Sequence, residues 1–257
     1  MKIGLIGSGN MARAMARGWG EPVLCTDSGS GSAQALVDEL GGERVASNRE
    51  LAERADIVVL CHKPYQLRAV GNEIGGAAKA VASVLGGITT QDLEQAFGGS
   101  QVFALIPNTP VEIRQGIVVY AQPHHRNHPI DTAVEARVLE LFGRLGRVVT
   151  LPERLMGAAT AVCGVGPAYQ ALLAEAQVDA AVRKGLSARL ASELVTATMS
   201  GSAALIEAKG YDTLAVRREV TSPGGSTARG LEVLEAAGVR AAFQDAIEAV
   251  VNPPQGR

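Results

Sequence analysis

Lys2-Ile3-Gly4-Leu5-Ile6-Gly7-Ser8-Gly9-Asn10-Met11-Ala12 is the stretch on which the fold reading turns. Lys2–Ile6 is a short apolar run that stops at a glycine, which predicts a buried strand. Asn10–Gly18 follows with helical periodicity. Between them stands G-x-G-x-x-A. Gly7 permits a tight turn, Gly9 lets the backbone approach a pyrophosphate, and Ala12 lets the helix pack closely on the sheet. The helix N-terminus attracts the anion. An ordinary glycine-rich turn is the competing reading. The strand before it, the helix after it and the strand–helix alternation beyond favour dinucleotide binding.

The same alternation continues downstream. Pro22–Thr26, Ile57–Cys61, Ala80–Leu85, Val102–Ile106, Ile117–Ala121 and Arg147–Thr150 read as further strands. Ser32–Leu40, Thr89–Phe97 and Ile130–Leu145 read as helices between them. Such alternation predicts a parallel sheet with helices on both faces. After Pro152 it stops, and Ala/Leu/Val-rich helices take over. Leu190, Leu194 and Thr198 fall on one helical stripe, and Ala191, Val195, Met199 and Ser202 on the next, a broad apolar face. Breaks are expected at Gly185–Ser187 and Lys209–Asp212. One helix is expected from about Thr227 to Ala237, and a last one from Val239 that ends before Pro253-Pro254. The expected division is residues 1–151 and 152–257.

Composition supports that plan and excludes others. The chain has 257 residues, which fits one large or two modest domains at roughly 100–200 residues each. It is 47% hydrophobic, enough for a core, but only 4% aromatic. The net charge of -2 offers no basic stripe for phosphates and argues against a nucleic-acid partner. Cys25, Cys61 and Cys163 are far apart and odd in number, so neither disulfides nor a thiolate zinc site is expected. His124-His125-Arg126-Asn127-His128 reads as a surface loop rather than a metal site. The glycine-rich start is unlike a signal peptide, and no apolar run reaches the ~18 residues of a membrane span. The cytoplasm is the expected compartment.

Five motifs carry the candidate chemistry. The first is the Gly7, Ser8, Gly9, Asn10, Met11 turn. Asp27, twenty positions after Gly7, stands where an acid bonds the adenosine ribose of NAD. Ser28 and the Gly/Ser run behind it carry no cation for a 2′-phosphate, although serine hydroxyls remain able to hold one. Asp27 capping the next turn is the alternative. The second motif, Cys61-His62-Lys63-Pro64, follows a strand's carboxyl end, where open α/β sheets bind ligands. The third, Ile106-Pro107-Asn108-Thr109-Pro110, does so too, and Asn108 offers an amide. Cys163-Gly164-Val165-Gly166-Pro167 interrupts a helical pattern with two glycines, each costing about 1 kcal/mol, which close approach of a ligand or partner helix would explain. The fifth, Thr221-Ser222-Pro223-Gly224-Gly225-Ser226-Thr227, places four hydroxyls at a turn entering a helix, a ready carboxylate nest. A plain N-cap at Ser226 or Thr227 is the alternative.

These motifs in this order resemble the pyrroline-5-carboxylate reductase family over almost the whole chain. Val220–Leu231 carries the most specific segment, and Glu175–Leu186 and Ser83–Thr89 also resemble it. The resemblance implies an α/β N-terminal Rossmann domain followed by an all-α dimerisation domain. It implies a homodimer or higher homo-oligomer with shared active sites. The implied reaction reduces a cyclic imino acid, 1-pyrroline-5-carboxylate, to L-proline with NADPH or NADH. Gly7 through Met11, Asp27, Ser28, His62, Lys63, Pro64 and Asn108 would then hold the cofactor. Gly224, Gly225, Ser226, Thr227, Cys163 and Val165 would hold the substrate, with Thr227 as the catalytic hydroxyl.

The chain also departs from the family pattern. Cys163 and Val165 stand where the family usually has serines, Ala104 where it has an arginine, and His62 where it has a valine. A drier or reshaped pocket for another imine follows as an alternative, as does a dinucleotide-binding protein of altered activity. β-Hydroxyacid dehydrogenases share the two-part plan but need a helix lysine. None of Lys2, Lys63, Lys79, Lys184 and Lys209 follows the Gly164–Pro167 segment at the right distance.

Overall fold

The computed structural model describes residues 1–252. Two compact units form, Met1–Pro167 and Ala168 onward. The expected division after residue 151 falls one residue before the last strand ends, and residues 152–167 cluster with the first unit.

The strands of the first unit are β1 (Ile3–Ile6), β2 (Val23–Thr26), β3 (Gly42–Arg44), β4 (Ile57–Leu60), β5 (Ala80–Ser83), β6 (Gln101–Pro107), β7 (Gly116–Gln122) and β8 (Gly146–Pro152). The helices are α1 (Asn10–Trp19), α2 (Ser32–Leu40), α3 (Asn48–Arg54), α4 (Leu67–Ile74), α5 (Thr90–Ala96), α6 (Thr132–Gly143) and the single turn α7 (Met156–Ala159). All eight strands lie in one sheet, ordered β3-β2-β1-β4-β5-β6-β7-β8. Chain order reverses direction between β1 and β4, the switch point where such sheets open a crevice.

Successive strand residues point to opposite faces, so each strand serves two cores. Ile3, Leu5, Ile57 and Val59 pack with Met15, Trp19 and Phe142 under α1 and α6. Ile6, Val58 and Leu60 pack with Leu51, Ile74, Leu93 and Phe97 under α3, α4 and α5. Trp19 donates its indole N–H to the Leu141 carbonyl at 3.0 Å and stands edge-on to Phe142, which joins α1 to α6.

Two features differ from expectation. The sheet is not parallel throughout, because β7 runs antiparallel to β6. Residues 108–115 separate them, too few for the crossover that parallel neighbours need. Strand β8 then pairs parallel with β7 after α6 carries the chain back. The second is β3 itself, three exposed residues paired parallel to β2 that carry no apolar pattern.

The second unit is helical. After a π-turn over Thr160–Gly164 come α8 (Gly166–Val182), α9 (Ala188–Ala208), α10 (Thr213–Glu219), α11 (Ser226–Ala236) and α12 (Val239–Val251). The breaks fall where expected, and α12 stops before the two prolines, which lie outside the described residues. Tyr169 meets Phe243 edge-on at 6.3 Å, joining α8 to α12. Among the unit's described residues only Ala191 is buried, while Leu172, Leu194 and Val233 are 63%, 50% and 68% exposed. A helix layer with so much bare apolar surface has little core of its own and offers a broad face to a partner.

Candidate functional site

A cleft of about 520 Å³ opens at the carboxyl ends of β1, β2, β4 and β5. Gly7 through Met11 line it beyond β1, Asp27 and Ser28 beyond β2, Cys61 through Pro64 beyond β4, and Val84 through Gly86 beyond β5. Three of the five sequence motifs aim at strand ends of this sheet, and two of them meet here.

The glycine turn has the shape a pyrophosphate needs. Gly7 holds φ +94°, and a Cβ there would stand 2.8 Å from the backbone of Cys61 and His62. The turn is thus pressed against the end of β4. At Gly9 a Cβ would meet nothing within 4 Å, so the space over the backbone is open. Gly9 caps α1 without a side-chain bond, and the first intrahelical donor is Arg13 to Gly9 at 3.0 Å. The N–H groups of Asn10, Met11 and Ala12 are left pointing out of the helix start. This arrangement fits a dinucleotide phosphate.

Asp27 lines the cleft, yet its carboxylate is turned to its own loop. Oδ1 accepts the Gly29 N–H at 3.0 Å, and Oδ2 accepts the Ala33 N–H at 2.9 Å in the first turn of α2. The Ser30 hydroxyl lies 3.3 Å from Oδ2. The bond from Ala33 is the main reason the carboxyl sits below its usual range, with Gly29, Ser30 and nearby Arg44 adding to it. The turn-capping alternative therefore describes this side chain. Ser8 and Ser32 share a hydrogen bond at 2.6 Å, and Ser30 and Ser32 another at 2.7 Å. A chain of hydroxyls thus runs from the glycine turn to the Asp27 loop.

At the β4 end, burial pushes the Cys61 thiol up and the His62 imidazolium down, so both side chains are neutral near pH 7. His62 Nδ1 lies 2.8 Å from the Lys63 carbonyl, which assigns its proton to Nδ1. Gln66 closes the turn by accepting the Lys63 N–H at 3.1 Å. Gln66, Ser30, Ser32, Val84, Leu85 and Gly86 also line the cleft. Their position just past β2, β4 and β5 is the signal for them, since none belongs to a distinctive motif.

The remaining candidates lie elsewhere. Asn108 is 9% exposed and spends its Oδ1 on the Ile117 N–H at 2.9 Å, bracing the β6–β7 connection, and it does not line the cleft. Cys163 lies in the π-turn and Val165 follows it, with burial raising the Cys163 thiol above its ordinary value. Gly164 there packs on Thr160. Ala104 forms part of a separate cavity of about 230 Å³ with Leu85, Ile106, Glu153 and Thr160.

In the second unit, Gly224 (φ +66°) turns the chain into α11, and the Gly225 N–H donates to Ser222 at 3.0 Å. A Cβ on Gly225 would collide with the Ser222 hydroxyl. Gly225 caps α11 without a side-chain bond, so Ser226 and Thr227 are its first helical residues and not its caps. The first intrahelical donor is Arg229 to Gly225 at 3.2 Å. The Ser226, Thr227 and Ala228 N–H groups face outward, as an anion nest requires. Arg229 braces the turn from the Gly224 carbonyl at 2.7 Å.

No helix is long and apolar enough to cross a membrane, and no three His, Cys, Asp or Glu side chains come together to hold a metal, among the described residues. Two family models match the chain. Residues 2–87 match the NADP oxidoreductase, coenzyme F420-dependent, family, and residues 153–255 match pyrroline-5-carboxylate reductase dimerisation. A Synechocystis pyrroline-5-carboxylate reductase is 31% identical across 99% of this chain and 97% of its own length. The Pseudomonas aeruginosa enzyme is 33% identical across 96% and 93%. The solved Plasmodium falciparum pyrroline carboxylate reductase with NADP bound superposes with a TM-score of 0.85 at 29% identity, covering 98% of this chain and 95% of that one. A dinucleotide cleft, a helical layer with an exposed apolar face, and relatives matched nearly end to end point one way: the chain belongs to the pyrroline-5-carboxylate reductase family.

Proposed function

We propose that the protein reduces the C=N bond of 1-pyrroline-5-carboxylate to give L-proline, using NADPH or NADH. The observation that carries this is the pair of open helix starts on one chain: α1 behind a glycine turn, and α11 behind the Gly224-Gly225 turn. One suits a dinucleotide phosphate, the other a substrate carboxylate.

When bound, a reduced nicotinamide supplies hydride. The chain's own work is positioning in a suitable electrostatic setting. Gly7 and Gly9 give the cofactor's pyrophosphate access to the N–H groups of α1, and Ser8, Ser28 and the Asp27 loop flank its adenosine end. His62, Lys63 and Pro64 bound the cleft past β4. The Ser226, Thr227 and Ala228 N–H groups receive the substrate carboxylate. The Thr227 hydroxyl orients the imine nitrogen or relays its proton. Threonine is a weak acid, so the role is orientation rather than strong proton donation, and a protonated iminium needs no acid from the protein. The sites are shared between subunits of a homodimer or larger homo-oligomer, with Cys163 and Val165 beside the substrate. The protein acts in the cytoplasm, without nucleic acid.

A second reading, reduction of a bulkier cyclic imine, draws on Ala104. It lines a cavity of about 230 Å³ where the family's arginine would stand. Turnover of pyrroline-5-carboxylate, piperideine carboxylate and an uncarboxylated pyrroline, each with NADPH and NADH, tests both readings. The main reading expects the first substrate to lead and the uncarboxylated ring to fail. Preference for the larger ring supports the second, and nucleotide binding without turnover of any imine overturns both.

A further inference from the structure

We propose that the cavity between the carboxyl end of β5, strand β6 and α7 binds a small alkyl cation, and that Glu153 receives its charge. The guest is a primary amine or a guanidine on a short apolar chain. The site is separate from the dinucleotide cleft and does not depend on the reaction assigned to it.

The cavity measures about 230 Å³, and all its lining residues belong to the first unit. Leu85, Ala104, Ile106 and Met156 give it an apolar wall. Ala104 contributes only a methyl group, which keeps the space open. An aliphatic cavity of about 150 Å³ already takes a guest the size of benzene. There is room here for a chain of several carbons with a polar head.

Against that apolar wall stands one carboxylate. Glu153 Oε1 accepts the Thr90 N–H at 2.6 Å, which ties the side chain to the start of α5. Oε2 makes no hydrogen bond or ion pair with any described residue. No lysine or arginine lines the cavity. The two hydroxyls on the wall have spent their protons, Thr89 on the Asp92 carboxylate at 2.6 Å and Thr160 on the Met156 carbonyl at 2.8 Å. The polar side chains there are thus acceptors in need of a donor. A cationic N–H group meets that need with a charge-assisted hydrogen bond. An anion would face the Glu153 carboxylate, and an uncharged chain would leave that carboxylate unpaired beside apolar surface.

Isothermal titration of the full chain with n-butylguanidinium, n-butylammonium, 1-butanol and butyrate tests this without any turnover. Both cations should bind the wild type at least about tenfold more tightly than butanol, the weight of one charge-assisted contact. Butyrate should not bind. Glu153→Gln keeps an oxygen for the Thr90 N–H and removes the charge. It should lower cation affinity at least about tenfold, to the level of butanol, while circular dichroism verifies the fold. Ala104→Arg puts a tethered guanidinium into the same space and should exclude every guest, again with the fold intact. Equal binding of butanol and the cations by the wild type, or no binding of either cation, overturns the assignment. So does unchanged cation affinity in Glu153→Gln or in Ala104→Arg.

Discussion

The backbone nitrogen of His62 occupies the space beside Gly7 so closely that a Cβ at position 7 would stand 2.8 Å from it. The glycine turn after β1 and the end of β4 are thus one packed unit. Gly7→Ala would impose both this collision and an unfavourable φ of +94°. A loss of about 2–4 kcal/mol in urea unfolding is expected, with a matching loss of dinucleotide affinity. Gly9→Ala is the contrasting case, because nothing lies within 4 Å of its added Cβ. Stability should change by no more than about 1 kcal/mol, yet dinucleotide affinity should fall at least about tenfold. Normal binding by Gly9→Ala would remove the pyrophosphate from that turn.

Asp27 predicts a pH dependence. Its folded carboxyl lies below the ordinary value of 3.8, chiefly through the Ala33 N–H. A depressed acid stabilises the fold above its unfolded pKa, and the contribution disappears as pH falls from about 4 through the folded value. Asp27→Asn should cost about 1–2 kcal/mol at neutral pH. Melting curves of variant and wild type should converge in acid. A constant gap across that range would show that the charge is not what matters.

Much of this was readable from residues alone. The strands β1, β4 and β5 are apolar runs ended by turn residues, and α1 and α2 follow their strands as the motif demands. Strand β3 was hidden, because Gly42, Glu43 and Arg44 bury nothing and join the sheet only through backbone bonds to β2. The reversal at β7 was equally silent, since apolar patterning does not encode strand direction. At the site, position relative to strand ends located the glycine turn and His62–Pro64 well. It failed for Asn108, also at a strand end, whose amide is used within its own connection. The engagement of Asp27 depends on the loop's backbone path, which serine and glycine leave open.

The helical unit predicts an obligate assembly. Leu194 on α9 is 50% exposed within one chain, amid other bare apolar side chains. Leu194→Glu should shift the mass measured by light scattering toward the monomer and lower the unfolding temperature. It should also make that temperature depend on protein concentration, as expected when subunit contacts supply stability. An unchanged mass would place Leu194 outside the interface.

Thr227 is expected to affect turnover and not cofactor capture. Thr227→Ala should lower kcat by roughly tenfold to a hundredfold, the range for a lost orienting or relay group. The dissociation constant for NADPH should stay the same. Because Thr227 does not cap α11, the fold should survive the change, as far-ultraviolet circular dichroism can verify. Unaltered kcat would take the hydroxyl out of the mechanism.

The central claim is the transfer of hydride to the imine carbon of pyrroline-5-carboxylate. Its most direct test supplies reduced nicotinamide nucleotide with deuterium at the transferable position and examines the product by mass spectrometry. The account predicts L-proline carrying a single deuterium, formed in step with nucleotide oxidation. Nucleotide bound but never oxidised, or oxidised without labelled proline, would contradict it.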